Sequence, residues 1–318
     1  MTARTPRVSV IIPTFNRRDY LAEAIASVLA QTFTDYEIVV VDDGSTDGTR
    51  ELIEERYPRS TIVYQYQLNR GSSAARNAGM RAARGELLAF LDSDDLWLPR
   101  KLELQVPLFD RNRIVGFVFC GSAGITKSGG YREVREPTEE YRGRALRAML
   151  YRNMMPTPTV VFRKHLVTEV GYMYEDLSFG EDWNYWLRIA ARCEVDFVPE
   201  ILVHYRAAPG GLSGIDFDSY RRNTVGLYEG LFREPATAAL FEPYRMEALS
   251  HAHTLVAGEA LAVDRLGVAR HEAWQAIRLR AGNAAAWRIL VRALLGTRLL
   301  LKLRRWRRKP PRSTETVD

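Results

Sequence analysis

Cysteine is almost absent from this chain: Cys120 and Cys193 are the only two in 318 residues. Two thiols cannot build a disulfide framework or a cysteine-rich metal site, so both are read as core residues of a protein in a reducing compartment. The opening residues, MTARTPR, pass directly into a strand-like segment without the apolar stretch and small-residue cleavage site of a signal peptide. That predicts a cytoplasmic protein. No G-x-G-x-x-G turn follows the first strand, which leads into PTFNRRDY and so argues against a nicotinamide-dependent dehydrogenase. RNA-binding modules and interleaved aromatic stripes are missing as well, which excludes nucleic acid as the expected partner of the basic residues.

What is present is an ordinary globular composition, 46% hydrophobic with a net charge of +6. The length suits one large domain with a smaller appendage. VSVIIP at residues 8–13 is a short apolar run rich in β-branched residues, as in a strand buried on both faces, and EIVVV at 37–41, TIVYQY at 61–66 and ELLAFLD at 86–92 read as further strands. Between them lie segments with helical spacing, the first carrying Leu21, Ile25, Val28 and Leu29 on one face. Ser72 and Ser73 are candidate caps of an Ala-rich helix that ends near Gly85. Strands alternating with helices predict a doubly wound, mostly parallel α/β sheet, in which ligands bind at the carboxyl ends of the strands. Residues 1–214 are assigned to that domain, with the nucleotide part at about 7–110 and an acceptor half at about 111–214. Residues 215–318, free of strand patterns, form an α-helical region.

Three polar, aperiodic segments fall at predicted strand ends, around Asn16, Asp43 and Asp92 to Asp95. In LDSDD, two carboxylates two residues apart with a third adjacent suit a hard cation such as Mg²⁺ or Mn²⁺, which would bridge them to substrate phosphates. An acidic turn is the alternative for an isolated D-x-D, and the strand-end position weighs against it. Asp42 and Asp43 offer acceptors for a base or ribose, with Gly44 allowing close backbone approach; a simple Asx turn is the other reading. Arg70 and Arg76 stand near a helix N-terminus, where phosphate is favoured, although Arg76 could equally pair with a carboxylate. GEDWNYWLRIA opens a helix with Glu181 and Asp182, placed either to complement the helix dipole or to accept a proton in a cleft. Trp183, Trp186, Leu187 and Ile189 supply its bulky face. His204 and Arg206 share one face of a late strand and are further candidates for the site.

Together these segments resemble glycosyltransferase family 2. VSVIIPTFNR is similar to the family's opening strand, VVVDDGSTDGT to its nucleotide-binding turn, NRGSSAARNAG to its third signature, FLDSDD to its D-x-D segment and GEDWNYWLR to its E-D-W helix. The resemblance covers residues 8–190 and implies a GT-A fold and an inverting, metal-dependent transfer of a sugar from a nucleotide diphosphate, UDP-sugar being favoured. It implies that Pro13, Phe15 and Asn16 line the nucleotide site and that Asp43 bonds the base. Asp92 and Ser93 would meet the ribose or sugar, Asp94 would hold Mn²⁺ or Mg²⁺, and Asp182 would be the general base, with Glu181 shaping the acceptor site. Many relatives carry a histidine in a Y-R-x-H pattern. Here Tyr205 and Arg206 are followed by Ala208 instead, which leaves a catalytically impaired nucleotide-binding protein as the alternative.

The resemblance ends before residue 216. WRILVRALLGTRLLLKLRRW at 287–306 mixes apolar residues with arginines, and charge interrupts it too often for a membrane span. It predicts a helix lying on an anionic membrane surface or packed on protein. A membrane location would suit a lipid-linked or other saccharide acceptor in cell-surface polysaccharide synthesis.

Overall fold

The computed structural model describes residues 5–58, 61–125, 130–206 and 216–307, with side chains described except at 132 and 296–307. The chain parts into two compact units, Met1–Gly214 with Gly230–Phe241, and Ile215–Glu229 with Glu242–Asp318. In the first unit the elements run β1 (Val8–Thr14), α1 (Arg18–Leu29), β2 (Tyr36–Asp42), α2 (Thr49–Arg56), β3 (Ile62–Tyr66), α3 (Ser72–Ala82) and β4 (Leu87–Phe90). There follow β5 (Leu96–Trp97), α4 (Lys101–Arg111), β6 (Val115–Ile125), β7 (Tyr131–Arg135), α5 (Leu146–Tyr151), β8 (Val161–Arg163), α6 (Leu166–Val170), α7 (Glu181–Ala190) and β9 (Glu194–Arg206).

The sheet order is β3-β2-β1-β4-β8-β6-β9-β5, with β7 beside β6. β1 pairs in parallel with both β2 and β4 and is buried along its whole length, which is why its sequence is mostly apolar and not alternating, the buried Ser9 hydroxyl donating to Glu37. Pro13 lacks an N–H for a ladder, yet it is tolerated because the β4 register stops at Ile11–Phe90. The chain moves outward from β1 through β2 to β3 and then returns across β1 to β4. That reversal opens a crevice at the carboxyl ends of β1, β2 and β4. Asn16, Asp43 and Asp92 follow those three ends directly.

The expected parallel character holds for this half, and the sheet as a whole is mixed. β8 is antiparallel to both β4 and β6, β7 to β6 and β5 to β9, while β6 and β9 are parallel. Cap chemistry also differs from expectation. Ser72 and Ser73 lie inside α3, whose cap is Gly71 at φ 90°. α2 starts after Gly48 at φ 85°, and its first residue, Thr49, donates through both N–H and hydroxyl to Asp47.

α3 is pressed onto β1 so closely that a Cβ on Gly79 would lie 2.3 Å from Ile11 Cγ2. Cys120 and Cys193 are buried and unpaired, as read from the sequence. The later segments are helical: α8 (Phe217–Gly230), α9 (Pro235–Phe241), α10 (Arg245–Ala262), α11 (Leu266–Leu279) and α12 (Ala284–Arg307). The core of the second unit is a seam of small residues, with Ala260, Ala269 and Ala293 packed in one cluster and Ala276, Ile277 and Ala286 in another. No helix is long and apolar enough to cross a membrane, among the described residues.

Candidate active site

The crevice is built from four turns and two helix starts. After β1, Asn16 adopts φ 50°, a left-handed conformation that asparagine bears better than most residues. Its side-chain oxygen accepts from Thr46 N–H at 2.8 Å, and its own N–H donates to Ser45 Oγ at 2.9 Å. The first two strand ends are thereby stitched together. Phe15, beside it, is half exposed to solvent.

Asp43 is buried, and its carboxylate holds the loop ahead of α3. It accepts from Arg70 N–H at 2.9 Å, Gly71 N–H at 2.8 Å and Gln67 Nε2 at 2.7 Å. Asp42 turns the other way, accepting from Ser45 N–H and the Tyr64 hydroxyl. Gly44, at φ 90°, would set a Cβ 2.9 Å from the backbone nitrogen of Asn69, so only glycine fits there. A cavity of about 430 Å³ opens beside this turn, lined by Asp42, Ser45, Thr46, Arg50 and Tyr66 among others.

Arg76 is the hub. Buried in α3, it donates to Asp92 Oδ1 at 2.7 Å and to Glu181 Oε1 at 3.0 Å, so the guanidinium joins the turn after β4 to the start of α7. The carboxylate pairing that the sequence allowed for Arg76 is present. The next residue, Asn77, exchanges hydrogen bonds with the backbone of Met173 and donates to Glu175. Arg76, Asn77 and Gly79 therefore serve, in order, the site, the loop before α7 and the sheet.

In the turn after β4, Asp94 pairs with Arg17 at 2.9 Å, and Asp95 accepts Arg206 N–H at 2.9 Å. Burial, and then Asp92, push the Asp94 carboxyl above the usual carboxylate range. Asp95 is pushed further by burial and by both neighbours. Ser93 is buried between them. Three carboxylates on four consecutive residues thus repel one another in a poorly solvated turn, which is the electrostatic setting a divalent cation relieves. The donors are all hard oxygens, as Mg²⁺ and Mn²⁺ prefer. No group of three or more potential ligands is preassembled among the described residues. The turn therefore fits an ion held by one or two carboxylates together with a substrate's phosphates, not an all-protein cage.

Asp182 follows Glu181 at the start of α7. One of its oxygens accepts from the Thr157 hydroxyl at 3.2 Å, the other from Trp183 N–H at 2.6 Å. Burial, and next the negative charge of Glu181, raise its carboxyl to about 6, against the opposing pull of Arg76. Trp183 turns its indole N–H to Met149 O at 2.7 Å, anchoring α5.

His204 and Arg206 go separate ways. His204 meets the Tyr131 hydroxyl at 3.2 Å, and burial lowers its imidazole below the usual value. The Arg206 guanidinium pairs with Glu23 and lies over the Tyr20 ring, while its backbone N–H is what reaches the acidic turn. Ala208 lies outside the described residues. Arg17 and Thr157 were not singled out from the sequence: Arg17 directly follows Asn16, but no pattern ties Thr157 to residue 182. Outside this cluster, a larger open volume of about 720 Å³ lies within the second unit, lined by Arg221, His253 and Glu272 among others.

A crevice at a strand reversal, an acidic turn at its edge and a carboxylate at a helix start, on this mixed sheet with flanking helices, accord with the GT-A class of fold. S. aureus TarS 1–349 in complex with UDP-GlcNAc is similar at a TM-score of 0.66 and 19% identity, over 86% of this chain and 81% of that one. The mannosyltransferase PcManGT of Pyrobaculum calidifontis, in complex with GDP-Man and Mn²⁺, is similar at a TM-score of 0.56 and 23% identity, over 96% and 89%. The model for "Glycosyl transferase family 2" matches residues 9–167, and the chain belongs to that family. An uncharacterized glycosyltransferase of Rickettsia felis is 32% identical over 78% of this chain and 40% of its own length. The putative teichuronic acid biosynthesis glycosyltransferase TuaG of Bacillus subtilis is 40% identical over 41% of this chain and 52% of its own. The chain spans about two fifths of the Rickettsia felis relative.

Proposed function

We propose that this protein is an inverting glycosyltransferase that moves a sugar from a nucleotide diphosphate, UDP-sugar favoured, to a saccharide or lipid-linked acceptor of the cell surface. The observation that carries this reading is the Arg76 bridge, which sets the acidic turn of Asp92 to Asp95 and the Asp182 carboxylate on one framework. UDP-GlcNAc in TarS and teichuronic acid in the description of TuaG support the choice of donor and acceptor class. Family membership supports the inverting course.

The roles follow from position. Phe15 and Asn16 border the nucleotide, and Asp43 shapes that border by holding the 67–71 loop. Asp94, helped by Asp92, would hold Mn²⁺ or Mg²⁺, whose contribution is to stabilise charge on the departing diphosphate. Asp182 takes the proton of an acceptor hydroxyl as that oxygen bonds to the anomeric carbon. The bond from that carbon to the diphosphate breaks, and its electron pair leaves with the nucleotide. A carboxyl raised to about 6 is still ionised at neutral pH and is a stronger base than an ordinary aspartate. The reading also includes peripheral association with anionic membrane. Its support is the row of exposed Trp287, Val291, Leu294 and Leu295 on one face of α12, beside exposed Arg288 and Arg292.

A thermal-shift screen against UDP, GDP, dTDP and CDP, each with and without Mn²⁺, tests the donor half. We expect stabilisation by UDP that requires the ion and is lost in Asp94→Asn. Sugar transfer should then vanish in Asp182→Asn while nucleotide binding stays. Nucleotide binding with no transfer or hydrolysis by the unaltered protein would favour the catalytically impaired alternative, and transfer surviving in Asp182→Asn would overturn the assignment of the base.

A further inference from the structure

Asp182 is held from a second direction. The turn at Thr157–Thr159, a single 3-10 turn before β8, carries the hydroxyl that meets it, and this turn is clamped from beneath by side chains that follow the acidic turn. Trp97 Nε1 donates to Pro158 O at 2.9 Å. Gln105 Nε2 donates to Thr159 O at 2.9 Å, and the Thr159 hydroxyl closes back on Pro156 O at 2.7 Å. Between Trp97 and Gln105 stands Lys101, fully buried, its ammonium 3.9 Å from the centre of the Trp97 ring. Its hydrogen-bonding capacity finds no partner among the described residues. Lys101 and Gln105 lie one helical turn apart on α4, and Trp97 of β5 joins them beneath the turn through its ring contact with Lys101 and its bond to Pro158. An unbroken path therefore leads from the acidic turn through Trp97, Pro158 and Thr157 to Asp182, independent of the Arg76 bridge.

We propose that Thr157, fixed by Trp97 and Gln105, is the positioning residue of Asp182: its hydroxyl orients one carboxylate oxygen while Trp183 N–H binds the other, and the carboxylate plane is thereby locked toward the acceptor. The proposal rests on the reading of Asp182 as the base. Physically, a general base must meet its proton within a few tenths of an ångström of hydrogen-bonding distance, and a carboxylate free to rotate at a helix start loses that alignment. A hydroxyl donor also stabilises the ionised form. The charged groups facing Asp182 are Glu181 on its own helix and Arg76 from α3; the element bearing Thr157 adds a neutral donor.

The test uses the full chain with ¹³C-labelled aspartate, following the Asp182 carboxyl against pH by NMR, the signal being identified by its absence in Asp182→Asn. Thr157→Val replaces the hydroxyl by a methyl group of similar size, and Thr157→Ser restores it. We expect the Asp182 midpoint to move up by about half a pH unit or more in Thr157→Val and to return in Thr157→Ser. Trp97→Phe, which removes the indole N–H but keeps a ring, should shift it the same way and serves if Thr157→Val does not fold. An unmoved midpoint in these variants overturns the proposal. Turnover of UDP-GlcNAc with Mn²⁺ is measured alongside: kcat should fall about tenfold or more in Thr157→Val with nucleotide affinity unchanged. A titration that shifts in a protein without turnover would count against the transferase reading while leaving the positioning role supported.

Discussion

Replacing Arg76 by Met keeps most of the side-chain volume and removes the charge that joins two parts of the site. Arg76 and Glu181 each keep only 7% of their side-chain surface exposed, and Asp92 keeps 27%. Without the guanidinium, Glu181 is a buried anion with no counter-charge, a state that costs about 3–5 kcal/mol when one partner of a buried pair is lost. Asp92 can turn to water and adds little. For a domain of this size each kcal/mol lowers Tm by roughly 2–4 °C, so the first unit should melt roughly 6–20 °C lower. Scanning calorimetry measures this directly. The cause is separable from packing: Arg76→Met combined with Glu181→Gln removes the stranded charge and should recover at least half of the loss. A single variant that melts within 2 °C of the parent, or a double variant no better than the single, would refute the reasoning.

Gly79→Ala places a methyl against Ile11 in the central strand and should destabilise by about 1–3 kcal/mol, with partial relief from Ile11→Val, both read by thermal melting. The acidic limb of kcat/KM should fall tenfold per pH unit below about 6 and level off above it, since Asp182 must be ionised to act. The same raised carboxyl has a stability consequence of defined sign. The penalty sets in as pH rises through the ordinary aspartate range near 4 and is complete above about 6, so Asp182→Asn should raise Tm at pH 7.5 and by much less at pH 4. Trp287→Ala with Leu294→Ala should weaken sedimentation with vesicles rich in anionic lipid several-fold while neutral vesicles stay unbound; equal binding of parent and variant would remove the α12 face from the membrane reading.

Strand-and-helix alternation was legible because the buried strands are short, mostly apolar runs, and Asn16, Asp43 and Asp92 stand within two residues of the ends of β1, β2 and β4. The carboxylates and Arg76 could be located, but not their pairings, because a salt bridge 105 residues apart leaves no local trace. The antiparallel strands escaped for a related reason: β5 and β8, with 2 and 3 residues, are too short to show any period. Capping misled at α3, where Gly71 at positive φ, and not Ser72 or Ser73, precedes the first turn. Trp97, Lys101 and Gln105 did leave a trace, a four-residue recurrence, which reads as an ordinary core stripe until the orphaned ammonium and the turn it underlies are seen.

The alanine seam of the second unit acts as a gauge of length. Where helices meet through methyl groups, their axes stand as near as backbones allow, and the spacing is set by the smallest side chain that still excludes water. Ala252, Ala260, Ala269, Ala273, Ala276 and Ala293 each have no exposed surface, so there is no slack to absorb a larger neighbour. A seam of this kind tolerates sliding poorly and swelling hardly at all. The helices that enter it are consequently indexed to one another by single methyl contacts, and a leucine at any of these six positions would reset the separation of a whole pair.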